Sequence, residues 1–260
     1  MKYSISSRQQ IEYLEKCDEI KVFWNDRDII FDLVEKYPSK LINLCRYYTH
    51  SHEDEIDWEE IEKYKILTNN NFVFGLSRLD EIKICKKNNI QFYYLDPARS
   101  FRELRALKDM GAKWAIIDAP LFFQMDKVKE IGINLRIPAN LSIRGALPHT
   151  DGVPGPWIRP EDVNLYEPYI DTIEFGRVNL EQERALFRIY AEQKHWPGDL
   201  SLIIQDINYP GVNRMIPPTL AEKRLNCAQR CQENGQCKLC WRVLDLANPD
   251  LLREYQNPKN

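Results

Sequence analysis

Short apolar runs alternate with amphipathic stretches along this chain, and that alternation constrains its fold more than any other feature. A typical run, "KWAIIDAP" (113–120), is followed by "LFFQMDKVKEIG", which has the apolar spacing of a helix. Continuous apolar runs are typical of parallel strands that are buried on both faces. Eight such runs occur, at 19–25, 41–48, 72–78, 91–97, 113–120, 134–143, 171–178 and 200–207.

Eight strands joined by helices in a chain of 260 residues predict a closed (β/α)8 barrel of the TIM type. An open doubly wound sheet is the alternative, and the lack of a G-x-G-x-x-G turn after the first run disfavours its dinucleotide-binding version. We expect the barrel to span residues 1–210 and a cysteine-rich, metal-binding extension packed on it to span 211–260. The stretch "SSRQQIEYLEKC" (6–17) predicts a short helix that closes the barrel floor.

The charge and composition of the chain restrict the kinds of partner that we expect it to bind. The formal net charge is -3 and the pI is near 5.9, so the whole chain has no general attraction to nucleic acid or to an anionic membrane. No run of eighteen apolar residues is present, which predicts that no helix spans a membrane. The first residues lack the unbroken apolar stretch of a signal peptide. These features predict a soluble, cytoplasmic protein.

Polar side chains stand where the predicted strands end, which is the active face of such barrels. Acids and arginines interleave there, and their convergence favours binding of a polar or anionic ligand. The alternative is that they begin loops or cap helices, and we expect Asp96 to cap the helix that follows it. The candidate catalytic residues are Asp118, Glu174 and Asp206, and the candidate substrate contacts are Arg46, Arg78, Asp96, Arg144 and Arg177.

The longest irregular stretch is "RGALPHTDGVPGPWIRPEDV" (144–163), which contains four prolines. Proline stiffens a loop, so we expect an ordered lid or binding loop over the active face. His149 lies in this loop close to Asp151, and it completes the set of candidate substrate contacts as a group that exchanges protons near neutral pH. A solvated loop histidine is the alternative.

Four of the seven cysteines lie within "NCAQRCQENGQCKLC" (226–240). The spacing Cys227-x3-Cys231-x5-Cys237-x2-Cys240 allows two pairs of thiolates to meet, because Asn234 and Gly235 permit a tight reversal between them. Four thiolates suffice for a tetrahedral zinc site or an iron–sulfur cluster. We therefore predict that these four cysteines are metal ligands. The other three, Cys17, Cys45 and Cys85, lie in apolar segments and are predicted to be buried.

The sequence leaves the identity of the metal centre open between an iron–sulfur cluster and zinc, with a slight preference for the cluster. Zinc ribbons usually separate their two cysteine pairs by more residues, and the C-x3-C-x2-C triplet of radical chemistry is missing. The basic residues around the thiols would offset the charge of a thiolate site, or would contact phosphate if the substrate were a nucleic acid. They are Lys223, Arg224, Arg230, Lys238 and Arg242.

The segment "SFRELRALKDMGAKWAIIDAPLFFQMDKVKEIGINLRIPANLS" (100–142) resembles the collagenase-like peptidase family. The resemblance rests on the order helix, "GA", strand, Asp and Pro. It implies a βα barrel and, as in members that act in hydroxylation of RNA bases and of ubiquinone, an iron–sulfur cluster on four cysteines. The cysteines here are more closely spaced than in that family, and no catalytic residue is carried over.

Two functions follow from these observations. The first is a metal-binding barrel enzyme that acts on a polar or anionic substrate, either a small molecule or a nucleic acid. The second is a non-catalytic binding or assembly protein, of viral or mobile-element origin, in which a zinc site fixes the C-terminal tail.

Overall fold

The eight strands of this protein close into a ring of parallel pairs, as the sequence predicts. The computed structural model describes residues 1–46, 56–139, 158–175, 179–192, 219–225 and 227. Within them, each strand pairs with the next in sequence and the last pairs with the first. The strands are β1 (Lys2–Ser6), β2 (Glu19–Phe23), β3 (Leu41–Cys45), β4 (Phe72–Leu76), β5 (Gln91–Ala98), β6 (Trp114–Ile117), β7 (Asn134–Pro138) and β8 (Thr172–Glu174).

Helices follow the strands in the order that parallel pairing requires. They are α1 (Ile11–Lys16), α2 (Ile30–Lys36), α3 (Trp58–Leu67), α4 (Glu81–Lys87), α5 (Phe101–Asp109), α6 (Ala119–Phe122), α7 (Met125–Ile131), α8 (Val163–Tyr166), α9 (Leu180–Glu192) and α10 (Leu220–Leu225). Two 3-10 helices, Trp24–Ile29 and Pro160–Asp162, lie directly before α2 and α8. No helix of the described residues is both long and apolar enough to cross a membrane.

The ends of α5 show why the local sequence forms these elements. The Ser100 hydroxyl accepts a hydrogen bond from the backbone N–H of Glu103, and the Glu103 carboxylate accepts one from the backbone N–H of Arg99. This exchange satisfies donors that the first turn leaves open. After the helix, Gly111 has a φ of +87°, a left-handed conformation that glycine adopts without strain.

The numbering of the strands differs from the prediction by one. The ring begins with Lys2–Ser6, which the apolar pattern did not reveal, and closes with Thr172–Glu174, which was counted as the seventh strand. The short helix predicted within residues 6–17 is present as α1, but it connects β1 to β2 and does not precede the first strand, so its predicted place at the barrel floor is wrong. The run 200–207, which was counted as the eighth strand, and the expected boundary at 210 lie outside the described residues.

The chain forms two compact units. The first comprises Met1–Ile116, Ile131–Arg136 and Ile170–Glu174, and the second comprises the described residues of Ile117–Glu130, Ile137–Tyr169 and Phe175–Asn260. In the first unit, an apolar cluster is formed by Cys45, Val73, Tyr93, Leu95, Trp114 and Ile116. In the second unit, the Phe122 ring stacks on that of Tyr166 at 5.3 Å, and Phe175 packs against Tyr190.

Candidate functional site

A charged layer lies inside the barrel of the first unit. Arg136 of β7 makes two hydrogen bonds of 2.5 Å to the carboxylate of Glu19 on β2, and these side chains are 0% and 1% exposed. Since the two residues belong to strands on different sides of a closed ring, the contact must pass through the barrel interior. TIM barrels usually fill this space with branched apolar side chains. A buried guanidinium–carboxylate pair is therefore the most unusual feature of this interior.

Two polar neighbours also donate hydrogen bonds to the Glu19 carboxylate. Ser4 of β1 donates a hydrogen bond to it at 2.6 Å, and the Asn43 amide of β3 donates another at 2.6 Å. Burial by itself would raise the pKa of Glu19, but the charge of Arg136 and these hydrogen bonds outweigh it and hold the pKa below its usual range. Glu19 is therefore ionised at neutral pH in a site that excludes water.

Two aromatic rings lie close to the cation of the same layer. The Arg136 guanidinium lies 4.5 Å from the ring centroid of Tyr93 and 5.5 Å from that of Trp114. The Tyr93 hydroxyl lies 3.1 Å from the Cys45 sulfur and crosses towards β4, where residue 75 is a glycine. A Cβ atom at Gly75 would lie 3.0 Å from that hydroxyl oxygen, so the small residue leaves room for the tyrosine.

Glu174, a predicted catalytic residue, belongs to this layer. It is the last residue of β8 and is 5% exposed, and its Oε2 atom lies 3.5 Å from Nη1 of Arg136. Among the described residues this oxygen has no hydrogen-bond partner. Lys21 of β2 is also buried, and its ammonium group lies 6.0 Å from the ring centroid of Phe23 at the end of the same strand. Two carboxylates and two cations therefore occupy the interior, with Glu174 at a strand's carboxyl end.

Arginines follow each of the first four strands, and each has a carboxylate partner. Arg46, a predicted substrate contact, is buried and bonds Glu81 at 2.9 Å, while Arg78 makes two hydrogen bonds to Asp80 at the surface. Burial raises the pKa of Glu81, although Arg46 acts in the opposite direction. The two other pairs are Arg8 with Asp26 and Arg27 with Glu60. Three of these four pairs join successive βα segments, so they tie the carboxyl-end loops together.

Asp96 does not cap a helix, which corrects that expectation. It lies within β5, the cap of α5 is Ser100, and Asp96 is hydrogen-bonded to the Tyr94 side chain. Asp118, the other predicted strand-end carboxylate, is buried at the start of α6, where its backbone carbonyl accepts hydrogen bonds from Leu121 and Phe122. Asp118 belongs to the second unit, whereas Glu174 and Asp96 belong to the first.

The second unit holds a buried cluster beside the start of the cysteine-rich segment. Arg159 makes two hydrogen bonds to the carboxylate of Asp162, at 2.5 and 2.9 Å. The guanidinium of Arg224 in α10 lies 5.4 Å from the ring centroid of Phe122 and 5.5 Å from that of Phe123. The Cys227 backbone N–H then bonds the Arg224 carbonyl. α10 is thus packed on the segment that follows the carboxyl end of β6.

The cysteines fall into two groups, three that were predicted to be buried and four that were predicted to bind a metal. Cys17, Cys45 and Cys85 are buried as expected, and burial raises the pKa of each thiol to about 12, so they stay protonated. Cys227 is half-buried, and within the described residues no three metal-binding side chains converge. The remaining predicted site residues, Arg144, His149, Arg177, Asp206, Cys231, Cys237 and Cys240, lie outside the described residues, so the metal site stays a prediction.

Sequence reasoning missed Arg136, Glu19 and Lys21, the centre of the charged layer. A signal for them exists, because a charge stands at an alternate position inside an otherwise apolar strand in "EIKVF" and "NLRIP". Side chains two residues apart point to the same face of a strand. A charge inside a strand that is buried on both faces therefore indicates a polar barrel interior.

Comparison with known proteins finds barrels of similar architecture. No family model and no curated protein matches the chain. A solved structure of 3-keto-L-gulonate-6-phosphate decarboxylase from Vibrio cholerae is 14% identical, with a TM-score of 0.46 over 74% of this chain and 96% of that one. KGPDC from Streptococcus mutans is 12% identical, with a TM-score of 0.45 over 74% and 96%. A native KDPGal structure is 10% identical, with a TM-score of 0.46 over 74% and 92%. Likeness at this level carries no information about reaction or substrate.

Proposed function

We propose that this chain is a metal-binding barrel enzyme that acts on a small polar or anionic substrate at the carboxyl ends of its strands. The observation that carries the proposal is the charged layer inside the barrel, in which Glu174 lies beside the Arg136–Glu19 pair. Burying such charges costs several kcal/mol per ion before pairing. An apolar filling would form the same barrel without that cost, so retention of the charges is more easily understood if they serve a ligand.

Glu174 is the group best suited to act on a substrate. A carboxylate at the end of a barrel strand is in the position from which catalytic side chains reach a ligand. Its Oε2 atom has no hydrogen-bond partner among the described residues, so it has capacity to accept a proton or a hydrogen bond from a ligand. Arg136 places a positive charge beside this carboxylate, and Arg46 is the proposed contact for an anionic group.

The metal belongs to the four-cysteine segment, which begins at Cys227. Two features support this part of the proposal: the close spacing of the thiols, and the packing of α10 against Phe122 and Phe123, which fixes the start of the segment. Four thiolates are the usual ligand set of an iron–sulfur cluster and also of structural zinc. The resemblance to the collagenase-like peptidase family favours the cluster, which would supply electrons to the reaction.

Metal analysis of anaerobically purified protein tests the metal part directly. We expect iron and acid-labile sulfide with broad visible absorbance, and loss of both in Cys231→Ala and in Cys240→Ala. Cys85→Ala is the matched control, because this buried thiol lies in α4 and its removal should leave the metal in place. Zinc in a colourless protein would favour the assembly protein, and a protein without metal would contradict the proposal.

Substrate depletion tests the catalytic part. Incubation with a mixture of small carboxylated and phosphorylated metabolites, followed by mass spectrometry, should show consumption of a polar or anionic compound. Glu174→Gln should slow that consumption at least about 100-fold, which is the lower range for loss of a general acid or base. Asp26→Asn serves as the control, because it removes a surface carboxylate that is paired with Arg8. Equal rates in Glu174→Gln and wild type would exclude the proposed role.

A further inference from the structure

A cavity lies in the first unit, between the end of β5 and α5. Its volume is about 540 Å³, within the range of about 300–1,000 Å³ that is typical of small-molecule sites. All the residues that line it are among the described ones, and the strand residues Tyr94 and Asp96 form one side. This cleft contains none of the cysteines or the charged-layer residues.

The helical wall of the cleft carries apolar side chains and one carboxylate. Ala106 and Leu107 line it from α5 and Met110 from the residue after the helix, while Glu103 of α5 adds the carboxylate; their spacings place them on one side of a helix. Leu79 also lines the cleft and is 54% exposed. An exposed leucine at a concave apolar wall leaves hydrophobic area that a ligand body would bury, at roughly 25 cal/mol per Å².

The polar side of the cleft is acidic and aromatic. Tyr94 and Asp96 are half-buried, and the Tyr94 hydroxyl donates a hydrogen bond to the Asp96 carboxylate. Burial raises the pKa of Tyr94, and the negative charges of Asp96 and Glu81 act in the same direction. Arg99 also lines the cleft, and its side chain is exposed to solvent.

We propose that this cleft binds an organic cation, a small molecule with a protonated amine on an aromatic or apolar body. The Asp96 carboxylate pairs with the ammonium group, and the Tyr94 ring adds the attraction that an aromatic face exerts on a cation. Leu79 and Met110 cover the body of the ligand. The site is independent of the metal and of Glu174, so it stands or falls separately from the proposed function.

Calorimetric titration with phenethylamine and with 3-phenylpropionate tests the charge preference, because the two probes have similar bodies and opposite charges. We expect saturable binding of the amine, at least about tenfold tighter than that of the acid, a difference of about 1.4 kcal/mol. Equal affinity for the two probes, or no saturable binding of the amine, would overturn the proposal.

Three variants test whether the amine binds in this cleft. Asp96→Asn should weaken the amine at least about tenfold, whereas Asp109→Asn, an equal charge change at the exposed end of α5, should leave it unchanged. Ala106→Trp fills the cleft without a change of charge and should abolish binding. If Asp96→Asn or Ala106→Trp binds the amine as wild type does, the site is elsewhere and the proposal is wrong. Metal content is expected to stay constant in all three variants, which separates this test from that of the proposed function.

Discussion

Two arginine–carboxylate pairs of the first unit each have two hydrogen bonds and differ in burial. Arg136 and Glu19 make two hydrogen bonds inside the barrel, and Arg8 and Asp26 make two at its surface. The Arg136 side chain is 0% exposed and that of Arg8 is 55% exposed. Water can replace either partner of the surface pair, whereas a broken interior pair leaves a charge without solvation. Burial, rather than bond count, therefore sets how much the structure depends on a pair.

The largest effect is expected from removal of one interior charge. Arg136→Met leaves the Glu19 carboxylate buried with hydrogen bonds from Ser4 and Asn43 alone. We expect the free energy of unfolding to fall by about 3–5 kcal/mol. Urea denaturation at pH 7, monitored by circular dichroism, measures this free energy. A loss below about 1 kcal/mol would mean that the buried pair contributes no more than a surface pair does.

The contribution of the interior pair should also appear in the pH dependence of the unfolding free energy. The pKa of Glu19 is lowered on folding, so its stabilisation is present above the pKa of an unfolded glutamate, about 4.3, and is lost as the pH falls through the folded value. Unfolding free energies measured between about pH 6 and 3 should therefore decline steeply in the wild type, and less steeply in Glu19→Gln. Parallel slopes in the two proteins would show that Glu19 does not titrate in this way.

A methyl group beside the charged layer should have an intermediate effect. Gly75→Ala places a Cβ atom 3.0 Å from the Tyr93 hydroxyl oxygen and 3.1 Å from a Leu95 methyl carbon. Overpacking of this kind costs about 1–3 kcal/mol. Thermal unfolding of Gly75→Ala together with Gly75→Ala/Tyr93→Phe checks the cause, because removal of the hydroxyl should recover part of the loss. No recovery would mean that the clash lies elsewhere.

The smallest effect is expected at the surface pair. Asp26→Asn removes the charge that Arg8 bonds, and the exposed guanidinium can be solvated instead. We expect a change in unfolding free energy within about 1 kcal/mol. Urea denaturation measures this change as well. A loss of unfolding free energy as large as that of Arg136→Met would mean that the number of hydrogen bonds matters more than burial.

The sequence predicts the architecture because βα alternation is local and repeats. Apolar runs such as "FVFGL" and helix ends such as Ser100 and Gly111 carry their own signals, and both agree with the structure. β1 was missed for a physical reason. Its residues "KYSIS" alternate, because Ser4 faces the charged interior rather than an apolar core. The same polar interior that makes this barrel unusual also weakens the apolar pattern by which a strand is recognised.

The site was predictable only in part. Glu174 was identified because strand ends are where barrels place their chemistry, and the structure puts it beside Arg136. Arg136 and its partner Glu19 are separated by 117 residues in the sequence, and only closure of the ring brings them together. No periodicity encodes such a contact, although charges inside buried strands indicate that one must exist.

The most direct test of the charged interior is a double-mutant cycle on Arg136 and Glu19. Urea denaturation of the wild type, Arg136→Met, Glu19→Gln and the double variant gives the coupling free energy between the two side chains. We predict a coupling of about 3 kcal/mol, the upper range for residues in direct contact, because the double variant leaves no buried charge of this pair unbalanced. Additive losses, with a coupling below about 0.5 kcal/mol, would contradict the account.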